Sequence, residues 1–255
     1  MGAEQGAVRG SARGAVRGEA PIRALLHDLA ALVWPTCCVA CGAPDRDCCA
    51  ACLAEVRAPV DLLRRELPGP SHGPVAWAAG PYEGPVRSML VALKHGGRTG
   101  FARDLGRRLG APIAAALELA SGGPPPVVVT VPSRPGRVRE RGFRHVEVLV
   151  DAALRGLRAE RPGSRVRRMR ALRTLRGRSS QVGLTADERR RNAELVAVRS
   201  RLAAALRGRE VVLVDDVITT GATVAAARRA LERAGARVLA VAALCEVRRS
   251  THPNV

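Results

Sequence analysis

Val211-Val212-Leu213-Val214-Asp215-Asp216-Val217-Ile218-Thr219-Thr220-Gly221-Ala222-Thr223 is the stretch whose reading decides the fold. Val211 to Val214 form a continuous apolar run of the buried-strand type. Two adjacent acids end it, and a turn of small residues follows. Residues 222–234 then have helical spacing, with Gly235 as the C′ residue. Residues 238–244 are a second buried strand. Strand, helix and strand at this spacing make a βαβ unit, which predicts a parallel sheet with a right-handed crossover.

The same alternation extends toward the N-terminus. Val127 to Val131 is another β-branched run, preceded by the breaker at 122–126. Residues 75–80 are a short strand candidate. Residues 85–93 place Val86, Leu90 and Leu93 at helical spacing and end near Gly96 and Gly97. Residues 101–119 predict a longer helix, with a break at Pro112. Residues 132–141 read as a basic loop, and 143–158 as a helix. The expected organisation is a tail over 1–20, a short helix and cysteine module over 21–60, a linker over 61–74 rich in Pro and Gly, and an α/β domain over 75–250.

The turn after Val214 has the makings of an anion site. It lies at the C-terminal edge of a predicted parallel strand, where α/β proteins bind ligands. Gly221 lets the backbone approach an anion closely. The first amides of the following helix point outward, and the helix dipole favours a phosphate there. Thr219, Thr220 and Thr223 add hydroxyls. Asp215 and Asp216 cannot help a phosphate directly; their natural partners are sugar hydroxyls or hydrated Mg²⁺. The bland alternative is a strand that ends in two solvated acids.

This stretch resembles the 5-phosphoribosyl-1-pyrophosphate (PRPP) motif of the type I phosphoribosyltransferases. The resemblance implies that Asp215 and Asp216 bind the ribose hydroxyls and act as the catalytic pair. It implies that Thr219, Thr220, Gly221, Ala222 and Thr223 cradle the 5′-phosphate, with Mg²⁺ bridging ribose and pyrophosphate. The loop after the first core strand would handle pyrophosphate through Ser133, Arg134, Arg137, Arg139 and Arg141, arginine being well matched to that anion.

Six of the seven cysteines lie between Cys37 and Cys52. Cys38-x-x-Cys41 and Cys49-x-x-Cys52 are two knuckles able to hold one tetrahedral Zn²⁺. Cys37 and Cys48 leave the register open, because Cys37/Cys41 and Cys48/Cys52 would pair with three residues between. A closed four-thiolate site is structural. Cys245 ends a strand and is expected in the core.

Composition bounds the rest. The chain has 255 residues, 47% hydrophobic, and a net charge of +19. No apolar run reaches the roughly 18 residues of a membrane span. The N-terminal residues lack the apolar region of a secretory signal, so the expected location is cytoplasmic. The basic balance favours polyanions. Yet Lys94 is the sole lysine, and so arginine-heavy a composition equally describes a solvated surface. Aromatic content is 2%: Trp34, Trp77, Tyr82, Phe101 and Phe143. A serial base-stacking surface is therefore not expected.

A Cys₄ knuckle followed by this domain resembles the ComF-like competence family. The likeness covers roughly residues 22–246. It includes Pro35, Ala92-Leu93-Lys94, Arg139-Glu140-Arg141-Gly142-Phe143, Gln181-Val182-Gly183-Leu184 and Glu188-Arg189-Arg190-Arg191-Asn192. Arg144 and His145 stand where the family has Asn and Gln. Three functions compete, the second of them implied by the resemblance. One is transfer of a phosphoribosyl group from PRPP to an acceptor, with release of pyrophosphate. Another is a DNA-uptake component binding single-stranded DNA or uptake proteins. There the ten arginines between Arg155 and Arg178 are the candidate surface, though a solvated face explains them equally. The third is a sensor of PRPP read by a partner protein. His95 and His145 are candidate bases, but a lone histidine beside a loop is more often a surface residue.

Overall fold

A computed structural model describes residues 37–44, 46–68, 73–175 and 196–247. The predicted tail, the early helix with Pro35, and the motifs at 181–184 and 188–192 lie outside them. Eight strands are described: β1 (Leu63–Glu66), β2 (Val75–Ala78), β3 (Val127–Thr130), β4 (Arg167–Met169), β5 (Leu172–Thr174), β6 (Val196–Val198), β7 (Glu210–Ile218) and β8 (Arg237–Glu246). The helices are α1 (Ala50–Arg57), α2 (Gly84–His95), α3 (Ala102–Leu117), α4 (Pro135–Arg141), α5 (His145–Glu160), α6 (Ser200–Leu206) and α7 (Ala222–Arg233).

Six strands form one sheet in the order β1-β2-β8-β7-β3-β4, and β5 pairs with β6 in a separate ribbon. β2, β8, β7, β3 and β4 run parallel; β1 is an antiparallel edge. The βαβ unit β7-α7-β8 is as the sequence predicts. α7 stops in a Schellman motif: the Ala236 N–H reaches the Leu231 carbonyl and the Gly235 N–H that of Glu232. Gly235 sits at φ 81°, which favours glycine.

Strand alternation divides the core. Val128, Val212 and Val214 pack toward α2, α3 and α5. Val127, Val129, Val211 and Leu213 pack on the other face with Val224, Ala227 and Leu231 of α7. The residue pair that ends β7 inherits this period of two.

The structure departs from the sequence reading at four places. β7 runs on through Asp215 and Asp216 to Ile218, because β8 continues to pair with it (Asp215 with Ala243, Val217 with Cys245). The apolar run ends at Val214, so hydrophobicity alone stops the strand too soon. Residues 135–141 of the basic loop form a helix, with Pro135 in its first turn and Gly142 at φ 81° after it. That helix buries none of its residues, so it carries no apolar periodicity to read. Leu63–Glu66, within the stretch read as linker, is the edge strand β1. α3 continues through Pro112. Its Leu105, Leu109, Ile113 and Ala116 are fully buried, and that packing outweighs the roughly 3 kcal/mol cost of an internal proline.

α3 and α5 approach most closely at Gly106. A Cβ there would sit 2.4 Å from the Ala152 Cβ and 2.8 Å from the Leu149 carbonyl oxygen. Gly106→Ala is expected to force the helices apart and cost about 1–3 kcal/mol. Thermal denaturation should show a Tm lower by about 2–4 °C per kcal/mol lost.

Candidate functional site

β7 delivers Asp215 and Asp216 to the C-terminal edge of the sheet, where they line a cleft of about 340 Å³. Lys94 of α2, Ser133, Arg134, Arg137 and Arg141 of α4, and Thr223 of α7 also line it. Of the five residues expected on the pyrophosphate loop, four therefore face the cleft. Arg139 is exposed and does not line it. Arg137 also pairs with Glu140 on the helix surface at 3.1 Å.

Asp216 is 7% exposed, and three elements meet on it. Its Oδ1 accepts the Val217 N–H at 2.8 Å. Its Oδ2 pairs with the Lys94 ammonium and lies 2.7 Å from His145 Nε2. Arg141 Nη1 is 2.6 Å from His145 Nδ1, and Arg141 Nε donates to the Lys94 carbonyl. A guanidinium has no lone pair to offer, so Nδ1 accepts and Nε2 carries the proton given to Asp216. The sequence reading names Lys94 only as the sole lysine and within the Ala92-Leu93-Lys94 motif, and His145 only as a candidate base; it places neither among the binding residues. His145 is buried at the first position of α5, contrary to the expectation for a lone histidine beside a loop. A signal existed for each: Lys94 is the sole lysine, and His145 departs from the family pattern.

The two acids have opposite electrostatics. Burial opposes a charge on Asp216, but the His145 hydrogen bond and the Lys94 charge outweigh it. They hold Asp216 below the ordinary carboxylate range. Asp215 is crowded on all sides, though part of its surface faces the open cleft. Burial and then the Asp216 charge push it well above that range. Its Oδ1 accepts the Asp216 N–H at 2.9 Å.

The turn from Thr219 to Thr223 has the form of an anion cradle. Gly221 is the N-cap of α7 at φ 78°, a left-handed conformation that a side chain would strain. Thr220 Oγ1 accepts the Ala222 N–H at 3.4 Å. Arg65 of β1 donates to the Thr219 carbonyl at 3.3 Å and also pairs with Glu246. Leu67 lies beside Gly221, so the edge strand braces the turn from outside. Thr220, Gly221 and Ala222 border a separate hollow of about 160 Å³ on that side.

The sulfurs of Cys38, Cys41, Cys49 and Cys52 lie within 4.8 Å of one another, a set that can hold a metal ion. Cys49 is the N-cap of α1, and its sulfur accepts the Cys52 N–H at 3.5 Å. Burial alone would raise the Cys38 thiol. Hydrogen bonds from the backbone at Cys41, Cys49 and Ala40 win and lower it to about 6. Cys48 turns the other way, toward Met89, and burial pushes it up to about 11. Cys37 is exposed, and Cys245 is fully buried in the core. All seven cysteines are free of disulfides.

Two outcomes follow for these groups. Cys38→Ser and Cys49→Ser should lose any metal ion that the purified chain carries, measured by elemental analysis, whereas Cys48→Ser should retain it. For the acids, a raised pKa means that ionised Asp215 costs the fold stability. That cost is absent below the ordinary carboxylate range and complete above the raised value. Asp215→Asn should therefore raise Tm at neutral pH, with the gain fading as pH falls from the raised value toward the ordinary carboxylate range and gone below about 4. Asp216 has the opposite sign: its contribution is present above the ordinary range and is lost as pH falls through its depressed value. Asp216→Asn should lower Tm at neutral pH, by about 2–4 °C per kcal/mol lost.

The phosphoribosyl transferase domain family matches residues 168–254. The DNA utilization protein YhgH of Escherichia coli K12 is 33% identical over 164 residues, 64% of this chain and 68% of that protein. Its counterpart in Salmonella typhi is 31% identical over the same shares. An adenine phosphoribosyltransferase of Mycobacterium avium is 55% identical over 42 residues, 16% of this chain and 23% of that one. A hypoxanthine phosphoribosyltransferase structure from Staphylococcus aureus aligns at 11% identity with a TM-score of 0.33, covering 62% and 69% of the two chains. A superposition that loose adds nothing to the assignment. The identity and coverage shared with YhgH, the matched domain and the four-cysteine cluster agree: the chain belongs to the ComF-like family, as a phosphoribosyltransferase-family protein with an N-terminal cysteine knuckle.

Proposed function

We propose that the cleft binds PRPP with Mg²⁺ and that the chain can pass its phosphoribosyl group to an acceptor. The observation that carries this is a strand-end pair of carboxylates and a cationic wall lining one cleft, with Thr223 of the helix-terminal turn on the same cleft and Thr220, Gly221 and Ala222 of that turn on the separate hollow. In this reading Thr219, Thr220, Gly221, Ala222 and Thr223 take the 5′-phosphate. Asp215 faces the ribose, and Asp216 organises the cationic side. Ser133, Arg134, Arg137 and Arg141 take the pyrophosphate.

The chemistry asks little of a protein base. Pyrophosphate leaves the anomeric carbon, and the acceptor replaces it. The protein's part is to align the groups and to neutralise the departing charge. Mg²⁺, when bound, would supply further charge neutralisation between sugar and pyrophosphate. His145 is engaged at both nitrogens and is placed to orient Asp216 rather than to take a proton from an acceptor.

The knuckle would hold a structural Zn²⁺ through Cys38, Cys41, Cys49 and Cys52, with no open position for chemistry. It is joined to the domain by Arg108, which donates to the Val56 and Ala79 carbonyls, and by an Arg57–Asp104 pair at 2.7 Å. Seven free cysteines suit a reducing compartment, so we place the protein in the cytoplasm. No described helix is long and apolar enough to cross a membrane.

A second reading, contact with single-stranded DNA, takes its support from the likeness to the DNA utilization protein YhgH and from the arginine-rich surface. Arg155, Arg165, Arg167 and Arg173 are exposed. Arg168 is engaged with Asp151 and Glu147, and Arg170 with Glu147.

Calorimetric titration of PRPP with Mg²⁺ into the full chain tests the first reading. Micromolar binding is expected, lost in the Asp215→Asn/Asp216→Asn variant. The absence of heat with the wild-type chain, together with salt-dependent binding of an oligonucleotide, would favour the second reading.

A further inference from the structure

Lys94 stands alone in this chain. Of 42 lysines and arginines, one is Lys94, so the other 41 are arginine. A basic residue that needed only positive charge would be arginine here as it is everywhere else. The one ammonium is at the last turn of α2, 18% exposed, on the wall of the cleft and paired with Asp216.

The geometry around Asp216 explains why a guanidinium would not serve. Of the two carboxylate oxygens, Oδ1 is taken by the Val217 N–H. Oδ2 is shared with His145 Nε2 at 2.7 Å. Each oxygen therefore already has one donor, and one lone-pair direction is left on each. Arginine binds a carboxylate best as a two-pronged fork, whereas an ammonium is a compact donor satisfied by one oxygen. Arg141 already fills the space behind, bonded to the Lys94 carbonyl and to His145. With one of its three N–H groups on Asp216, Lys94 keeps two for a ligand in the cleft.

We propose that Lys94 is an anion-binding residue of the cleft, whose ammonium, held by Asp216, receives the pyrophosphate oxygens of the ligand and cannot be replaced by a guanidinium. This rests on the PRPP reading and deepens it. It also divides the labour of the paired acids. Asp216 has a protein partner on each oxygen and is a positioning residue. Asp215, with Oδ2 uncommitted among the described residues, is the acid that meets the ribose diol.

The test uses inorganic pyrophosphate and ribose 5-phosphate as separate probes, titrated into the wild-type chain, Lys94→Met and Lys94→Arg. Loss of a charged hydrogen-bond donor should weaken pyrophosphate binding by about 10–100-fold in Lys94→Met. Ribose 5-phosphate binding should be unchanged, which also shows that the variant is folded. Lys94→Arg should not restore pyrophosphate affinity. Because Lys94 is the only lysine, acetylation of its side chain can be followed by mass spectrometry in the unaltered protein, and pyrophosphate should slow it. The proposal is overturned if Lys94→Arg binds pyrophosphate like the wild type. It is also overturned if pyrophosphate fails to bind, or binds without protecting Lys94. If pyrophosphate binds and protects Lys94 while PRPP does not bind, the lysine assignment stands and the PRPP reading falls.

Discussion

A carboxylate taken out of water must be matched by charge and hydrogen bonds, and Asp216 obtains both from three separate elements. α2 brings Lys94, α5 brings His145, and the strand itself brings the Val217 amide. Arg141 then ties His145 to the Lys94 carbonyl from α4. Removing one partner of such a buried set leaves an uncompensated charge, a cost of about 3–5 kcal/mol. The cleft is therefore as much a structural joint as a binding surface. The helices that build its cationic wall are positioned by the same carboxylate that lies at its base.

The joint extends to the cysteine knuckle. Cys48 lies against Met89 of α2, and Val56 of α1 belongs to the same core as Leu90 and Leu93. Arg108 fastens α1 to the sheet through the carbonyls of Val56 and Ala79. The knuckle thus packs on the helix that carries Lys94. On the opposite side, Arg65 of the edge strand and Leu67 just after it brace the turn at Thr219 and Gly221. The cleft and the adjoining turn thus both rest on segments outside the central βαβ unit.

Much of this was legible in the sequence, and the reasons for the remainder are physical. Apolar runs and glycine punctuation were sufficient for the βαβ unit, for Gly221 at the turn and for Gly235 after α7. The spacing of Cys38, Cys41, Cys49 and Cys52 was sufficient for the cluster. α4 was not legible as a helix because none of its residues is fully buried, so no apolar face marks it. The length of β7 was hidden because pairing with β8, rather than hydrophobicity, keeps Asp215 and Asp216 extended. His145 was misjudged because its burial comes from a partner 71 positions away. The inequality of Asp215 and Asp216 arises from side-chain partners on other elements, which no local pattern records.

The most direct measurement of the central claim is a crystal structure of the full chain with PRPP and Mg²⁺. The account predicts the 5′-phosphate on the amides of residues 220–223 and the ribose hydroxyls on Asp215. It places pyrophosphate oxygens on Lys94, with Asp216 still bonded to Lys94 and His145. A ligand whose ribose hydroxyls lie on Asp216, with Lys94 displaced from the cleft, would contradict it.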